Sequence, residues 1–416
     1  MKTPLARPPR GGGQLEFHLL VLVTLGLVAF GLVMVFSASS GRAAVNADDP
    51  ASYLKRQATY AALGLVALAV LSRVDFRVMR RLGGPLLLTA FVFLVAVLVM
   101  GTTVNGARRW LPLGVIDFQP SELAKLALAV WLAAFLVRRG APRSLGELAR
   151  PIGLVVLGAC VLVLLEPDLG TSIAIVVMAS AMLVVAGTPL RVLGGAGGIL
   201  VALALAAIWV EPYRRERLLS FLDPWADPEG SGFQIVQAML ALGSGGLFGV
   251  GLGEGVTKIN YLPEAPTDMI FAVVGEELGL VGALAVIAAF LVFGYAGFTI
   301  ALRCRDPFGK LLAAGITALV CGQAVVNLSA VLGLAPLTGI PLPFVSYGGS
   351  SLVVTLAAVG ILLNIAVNHA AASADTGTRL PDRRRGDGGA RHARARGRRG
   401  AQPARGAGHV RRRAAG

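Results

Sequence analysis

Long apolar runs alternate with short polar joints along most of this chain. Most of the runs approach the length of about 20 residues that an α-helix needs to cross the hydrocarbon core of a bilayer. The pattern therefore predicts an all-α polytopic membrane protein with about ten transmembrane helices. Outer-membrane β-barrels are excluded, because their strands give a weaker pattern of alternating apolar residues. The predicted spans lie near residues 18–36, 57–72, 83–101, 119–137, 151–166, 170–187, 191–210, 267–302, 309–332 and 351–368.

Composition agrees with a membrane protein. Hydrophobic residues make up 55% of the chain and charged residues only 15%, and the mean hydropathy is +0.73. Lysine and arginine concentrate in the cytoplasmic loops of such proteins. With both termini inside, fifteen of these residues lie in the N-terminal arm and the cytoplasmic loops, apart from those of the C-terminal tail, and nine lie outside. We therefore predict that both termini are cytoplasmic and that a large extracellular loop, residues 211–266, joins spans 7 and 8.

The net charge of +15 is concentrated in a C-terminal tail. Thirteen arginines follow His369 without apolar periodicity, which predicts a disordered basic cytoplasmic tail at residues 371–416. The tail suits orientation by positive charge and attraction to membrane lipids; docking of a partner is the alternative. No nucleic acid is expected as a partner, because no basic face with interleaved aromatic residues accompanies the charge. A cytoplasmic arm at 1–17 and a transmembrane domain at 18–370 complete the organisation.

Carboxylates are the main candidates for acid–base chemistry. The three cysteines are dispersed, and the four histidines lie at the start of the first span or at or beyond the end of the last. Neither a zinc site nor a histidine-based triad is therefore predicted. Asp268 is the leading candidate, because polar sequence becomes a membrane-length apolar run there and an acid at that boundary is costly. The alternative is a helix cap, provided by either Asp268 or Thr267.

The fourth predicted span contains a charged pair. Glu122 and Lys125 are three residues apart and share a helix face. One interpretation is a self-neutralising pair within the membrane. The other is a cation that lines a polar cavity for an anionic head group. The neighbouring Arg108 and Arg109 favour the second interpretation, because guanidinium groups suit pyrophosphate.

Two polar loops and the short connection between spans 5 and 6 contain the remaining candidate site residues. Residues 243–255 are rich in glycine, but no βαβ unit surrounds them, so a closely packed or flexible loop is predicted instead of a dinucleotide site. Residues 341–351 predict a rigid loop in which Ser350 or Ser351 caps the last span or hydroxyl groups line a site. Asp168, between spans 5 and 6, is interpreted as a helix cap.

Six motifs occur in order along residues 15–370. They are Asn105-Gly-Ala-Arg-Arg-Trp110, Gln119-Pro-Ser-Glu-Leu-Ala-Lys125, Pro167-Asp-Leu-Gly-Thr171, Gly243-Ser-Gly-Gly246, Tyr261-Leu-Pro-Glu-Ala-Pro-Thr-Asp268 with Gly275-Glu-Glu-Leu-Gly279, and Pro341-Leu-Pro-Phe-Val-Ser-Tyr-Gly-Gly-Ser-Ser351. The set resembles the SEDS family (FtsW, RodA and SpoVE) of bacterial division, cell-shape and sporulation proteins. The resemblance is greater to the division type than to the elongation type. Pro266 and Met269 depart from the family's usual His and Phe.

The resemblance implies a peptidoglycan glycosyltransferase. Such an enzyme polymerises lipid II, the undecaprenyl-pyrophosphate-linked disaccharide-pentapeptide, at the outer leaflet of the bacterial plasma membrane. It works with a class B penicillin-binding transpeptidase and, in the division case, with divisome proteins at the septum. The essential aspartate of the family falls on Asp268.

Roles for the remaining candidates follow from that reaction. A sugar hydroxyl needs a general base, for which we assign Asp268, and the departing pyrophosphate needs positive charge. The candidates for pyrophosphate are Arg109, Lys125, Lys258 and, with less support, Arg108. The other candidate substrate-binding residues are Glu122, Glu264, Thr267, Ser346, Tyr347 and Ser350. A divalent cation, Mg²⁺ or Mn²⁺, can share the charge, with Glu264 or Asp168 as weak candidate ligands.

Three alternatives remain open from the sequence. An elongation- or sporulation-type polymerase would perform the same chemistry elsewhere in the cell. A lipid II flippase would need charged residues along a path through several spans, whereas the polar residues here concentrate in the predicted outer segments. A membrane scaffold without enzymatic activity would suit the basic tail.

Overall fold

The computed structural model describes most of the chain, namely residues 13–46, 49, 51–104, 107–112, 117–210, 212–259 and 262–377. Asn105 and Tyr261, which belong to two of the motifs, lie outside the described residues. So do most of the predicted cytoplasmic arm and residues 378–416 of the predicted tail.

Helices dominate the described residues, which confirms the predicted fold class. Nine of these helices are long and apolar enough to cross a membrane. The seventh predicted span corresponds to α8, whose described apolar part is shorter than the other spans, so the tenth crossing stays a prediction. The helices are α1 (Gln14–Asn46), α2 (Ser52–Leu71), α3 (Arg77–Met100), α4 (Pro120–Arg139), α5 (Leu145–Leu148), α6 (Leu154–Leu165), α7 (Leu169–Ala186), α8 (Leu190–Val210), α9 (Pro212–Leu222), α10 (Phe233–Ser244), α11 (Ile270–Arg303), α12 (Pro307–Val331) and α13 (Ser350–Gly377).

Local signals in the sequence explain where several helices begin. Asp168 caps α7 by accepting a hydrogen bond from the Thr171 amide at 2.9 Å. Asp306 caps α12 in the same way through Gly309, and Pro307 occupies the first turn, where a missing N–H costs nothing. The prediction of a cap at Asp168 is therefore confirmed.

Helices α4, α12 and α13 form the buried centre of the bundle. Helix α12 packs against α4, α7 and α11, and α11 packs in turn against α1. The outer helices expose large apolar side chains, which is the arrangement expected when lipid surrounds the bundle. Because α13 runs to Gly377, it extends into the start of the predicted tail.

A small antiparallel sheet, which was not predicted, connects α3 to α4. Its strands are β1 (Thr102–Val104), β2 (Ala107–Pro112) and β3 (Asp117–Phe118), in the order β1-β2-β3. The sheet carries Arg108 and Arg109 on β2 and leads directly into the start of α4. It therefore fixes these arginines at the end of the bundle where α4 and α7 begin.

The predicted loop 211–266 contains two helices, α9 and α10, which were also not predicted. The glycine-rich segment that follows α10 packs against α11 at a break in that helix. Gly279 has φ 64° and ψ −161° within α11, and a side chain there would clash with the backbone of Leu247 and Gly249. Of the two predictions for this segment, the structure supports the closely packed loop.

Candidate functional site

Asp268 lies in a loop immediately before α11. Met269 is the N-cap of α11 and makes no side-chain cap bond, so neither Asp268 nor Thr267 caps the helix. The Thr267 hydroxyl instead contacts the Glu264 carbonyl and carboxylate, both at 2.9 Å, and Asp268 Oδ1 at 3.3 Å. Asp268 itself is half-buried. The cap alternative for Asp268 is therefore wrong, and the three polar residues of this loop lie together.

Asn327 on α12 holds the backbone of the Asp268 loop. Its Nδ2 donates to the Asp268 carbonyl at 2.7 Å and to the Ile340 carbonyl at 2.8 Å. Its side chain is buried, so both bonds form away from water. One amide thus joins the loop before α11 to the loop before α13. Nothing in the sequence analysis identified Asn327, although a polar residue within an apolar span is a recognised signal of function.

The loop before α13 also approaches the carboxylate of Asp268. Gly339 adopts φ +70°, and a Cβ added there would lie 4.0 Å from Asp268 Oδ2. Such a backbone conformation favours glycine. Gly170 of α7 packs so closely on Ile340 and the Thr338 carbonyl of this loop that a side chain would not fit. The start of α7 and the carboxylate of Asp268 therefore both approach the same short segment, residues 338–340.

Arg109 contacts the joint that precedes α7. Its Nε donates to the Glu166 carbonyl at 2.8 Å, and one terminal nitrogen donates to the Pro167 carbonyl. The guanidinium has five N–H donors, of which the hydrogen bonds between described residues use two, and the side chain is only partly buried. Arg109 is therefore anchored and still able to bind an anion. Arg108 is exposed and contacts only the Thr103 hydroxyl at 3.3 Å among the described hydrogen bonds.

Glu166, in the joint between α6 and α7, is fully buried. Neither of its carboxylate oxygens has a hydrogen-bond partner in the described part of the chain. Burial raises its pKa from 4.5 to about 8, the charge of Asp168 adds to the rise, and Arg109 opposes it. The side chain is therefore mostly protonated at neutral pH.

Tyr347, in the loop 341–351, is a candidate for ligand contact. Its amide donates to the Pro266 carbonyl at 2.8 Å, which joins its loop to that of Asp268. Burial raises the pKa of Tyr347, and a hydrogen bond with Arg56 opposes the rise. Arg56, which is exposed on α2, is a second cation beside the site that the sequence analysis did not single out.

Ser346 and Ser350 are buried and turned toward the protein. The Ser346 hydroxyl accepts from the Leu342 amide at 2.8 Å, and the Ser350 hydroxyl accepts from the Gln119 amide at 3.0 Å. These bonds shape the loop and link the starts of α4 and α13. The structure therefore supports the rigid-loop interpretation for these two serines and does not place them as ligand contacts.

Glu122 and Lys125 form a buried ion pair at 2.8 Å. The cavity beside them is lined by Gln323 and Thr355, among others, and has a volume of about 10 Å³. Such a volume holds about one water molecule, far less than a pyrophosphate needs. The ion pair and the small cavity favour the self-neutralising interpretation, and binding of a head group by Lys125 and Glu122 stays a prediction.

Lys258 is also engaged within the protein. Its ammonium contacts Glu277 at 2.6 Å, the Gly253 carbonyl at 2.7 Å and the Ser37 hydroxyl at 3.1 Å. A lysine has three N–H donors, and these contacts use all of them. These contacts favour a structural role for Lys258, and its binding of pyrophosphate stays a prediction.

The candidate metal ligands are not assembled into a cluster. Both oxygens of Asp168 face Thr171, and Gln119 lies 3.4 Å from one of them. Glu264 is exposed beside Thr267. Within the described ranges, no three His, Cys, Asp or Glu residues are grouped so that they could hold a metal ion. Asp168 and Glu264 therefore stay weak candidates.

Comparison with known proteins decides the family. The model of the cell cycle protein family, FTSW_RODA_SPOVE, matches residues 17–371. The chain belongs to this family. Among its relatives, a probable peptidoglycan glycosyltransferase FtsW from Geobacter sulfurreducens is 44% identical over 83% of this chain and 94% of the relative. The stage V sporulation protein E of Bacillus subtilis is 41% identical over 83% of this chain and 96% of the relative.

Solved structures of family members agree with the fold. One, described as a peptidoglycan synthase complex that coordinates polymerization and crosslinking, is 35% identical with a TM-score of 0.71, over 84% of this chain and 97% of that chain. The crystal structure of RodA, the rod shape determining protein of Thermus thermophilus, is 33% identical with a TM-score of 0.61, over 84% and 96% of the two chains. The SEDS resemblance is thereby confirmed.

Proposed function

We propose that this protein is a peptidoglycan glycosyltransferase that polymerises lipid II at the outer leaflet, with Asp268 as the general base. The observation that carries the proposal is that the carboxylate of Asp268 approaches the segment 338–340, which also packs on the start of α7, and that Arg109 is anchored on the residues just before α7. An acid and a cation are the two groups that the reaction requires. The names of the relatives support the same reaction.

The chemistry joins a sugar hydroxyl of one molecule to the anomeric carbon of another, and polyprenyl pyrophosphate leaves. Asp268 removes the proton of the attacking hydroxyl, which increases its nucleophilicity as the new bond forms. The N–H donors of Arg109 stabilise the charge that develops on the departing pyrophosphate.

The expected partner is a class B penicillin-binding transpeptidase, which would cross-link the strands that this protein makes. The synthase complex among the similar structures supports such a pairing. We place the protein in the bacterial plasma membrane and, on the resemblance to the division type, at the septum with divisome proteins. The similar identities to FtsW-named and sporulation-named relatives keep the sporulation type as the closest alternative.

No specific observation favours a flippase. Among the described spans, Glu122 is paired with Lys125 and Glu277 with Lys258, and Glu276 is bound by the amides of Val256 and Thr257. A polar route for a charged head group would need such groups to face a cavity. The cavity beside Glu122 and Lys125 has the size of about one water molecule.

Polymerisation of labelled lipid II by the purified protein in detergent, with and without the cognate transpeptidase, tests the proposal. Asp268→Asn should lower kcat by about 100-fold or more, because the amide cannot accept the proton. Arg109→Ala should lower kcat/KM by about 100-fold, since the leaving group loses a cation. Asp223→Asn, which changes an exposed acid of the segment 211–266, is the matched control and should leave the rate unchanged.

The outcomes are distinct. Glycan strands in detergent, where no bilayer exists to be crossed, identify an enzyme, whereas a flippase or a scaffold makes none. If Asp268→Asn retains wild-type kcat in the presence of the transpeptidase, Asp268 is not the base. If wild type makes no polymer even with the transpeptidase, the proposed function fails.

A further inference from the structure

The segment between the glycine-rich loop and α11 carries a buried charge network that the reaction does not use. Lys258 and Glu277 form an ion pair at 2.6 Å and are almost completely buried. The Ser37 hydroxyl on α1 lies 2.7 Å from both Glu277 oxygens and 3.1 Å from Lys258 Nζ. We propose that Lys258, Glu277 and Ser37 form a clamp of positioning residues that holds the loop bearing Asp268. The inference rests on the proposed function of Asp268.

The position of the clamp along the chain supports this role. Lys258 and Glu277 are 19 residues apart, and Asp268 lies near the middle of the segment between them. The ion pair therefore closes the base of the loop that presents the carboxylate. Ser37 attaches this base to α1, a helix that otherwise packs on α11.

Neighbouring bonds extend the clamp to the glycine-rich loop. Gly253 donates its amide to Glu277 at 3.1 Å and its carbonyl accepts from Lys258. The next acid, Glu276, accepts from the amides of Val256 at 2.8 Å and Thr257 at 3.1 Å, and from the Thr257 hydroxyl. Two adjacent carboxylates of α11 thus bind the chain on the approach to Asp268.

Burial of such charges argues for a role beyond simple stability. A buried ion pair is weak evidence for stabilisation, because desolvation offsets the attraction, and apolar replacements of both partners are often tolerated. The charges instead fix the positions of the groups, because the three N–H donors of the Lys258 ammonium point at three fixed acceptors. A displacement of about 1 Å at a reacting group can cost about 100-fold in rate. The clamp is therefore expected to act on kcat.

The test compares stability with catalysis in single and double variants. Lys258→Met and Glu277→Gln each leave one buried charge unpaired, so both should lower the melting temperature and kcat. The double variant removes both charges and should recover the melting temperature of wild type. We expect its kcat to remain about tenfold or more below wild type, with the KM for lipid II changed less than about threefold. The amides of residues 262–269 should also exchange hydrogen faster than in wild type.

A matched control uses an ion pair that joins α11 to α1 away from the clamp. Arg303 and Glu16 join α11 to α1 at 2.7 Å, at the opposite ends of both helices. The double variant Arg303→Met with Glu16→Gln should change neither kcat nor exchange in residues 262–269. Recovery of both stability and kcat in the clamp double variant overturns the proposal, and so does unchanged exchange. Failure of the proposed function gives a different result, namely an active Asp268→Asn variant. Hydrogen exchange of residues 262–269 reports on the position of the loop and does not depend on the chemical role of Asp268.

Discussion

Replacing Glu166 with glutamine tests the electrostatics of the joint beside Arg109. The Glu166 carboxyl is fully buried, and burial followed by the charge of Asp168 raises its pKa from 4.5 to about 8. A carboxyl with a raised pKa binds its proton more tightly in the folded protein than in the unfolded chain. Its contribution to stability is therefore fully present below pH 4.5 and is lost as the pH rises toward 8.

The size of the effect follows from the two pKa values. Each pH unit between them corresponds to about 1.4 kcal/mol. The interval from 4.5 to about 8 thus sets an upper bound of about 5 kcal/mol on the stability lost by about pH 8. Glutamine has nearly the same shape and cannot ionise, so this pH-dependent loss disappears in the variant. Any cost of burying the amide is the same at every pH.

Melting temperatures in detergent, measured from about pH 5 to about pH 9, give the required comparison. The difference between Glu166→Gln and wild type should rise by several degrees as the pH increases and should level off above about pH 8. Glu229→Gln, a change at an exposed residue, should give a flat difference. A flat difference for Glu166→Gln as well would refute the reasoning, since it would mean that this carboxyl titrates equally in the folded and unfolded chain.

Two further predictions concern buried polar residues of the spans. Asn327→Ala leaves the carbonyls of Asp268 and Ile340 without their shared donor and should lower kcat about tenfold. Ser329→Ala on the same helix is the control, and a wild-type kcat in Asn327→Ala would contradict the role assigned to this amide. Lys125→Met should destabilise the protein by about 3–5 kcal/mol in denaturant or thermal unfolding, because it leaves Glu122 buried and unpaired. The double variant with Glu122→Gln should recover most of that loss, and equal stability of the single and double variants would argue against the pair.

Much of the bundle could be predicted from the sequence, because lipid imposes a simple requirement on it. Spanning helices need long apolar runs, and the predicted run near 309–332 corresponds closely to α12 at Pro307–Val331. The N-cap of α7 could also be predicted from the sequence, because Asp168 directly precedes that helix. Hydrophobic pattern was less informative for residues 211–266 and 101–118, where two helices and a small sheet form. There the elements are short and depend on contacts with the rest of the bundle.

The site could be predicted only in part, because the chain shows which residues are polar and not which ones face each other. Asp268 and Arg109 were selected as candidates from boundary position and residue type. Lys258 was selected because it lies close to Asp268 along the chain, while its ammonium points to Glu277 and Ser37. Asn327 was missed because a single amide in an apolar span has no local motif, and its two acceptors lie on different loops.

Two of the hydrogen bonds that hold the Asp268 loop do not involve the carboxylate that is proposed to act as the base. Asn327 binds the carbonyl of residue 268, and the Tyr347 amide binds the carbonyl of Pro266. Both bonds use backbone atoms, so they persist when the carboxylate of Asp268 becomes an amide. A loss of activity in Asp268→Asn can then be attributed to the lost proton acceptor and not to a displaced loop. The clamp and the amide of Asn327 give the complementary case, in which the carboxylate is intact and only its position changes.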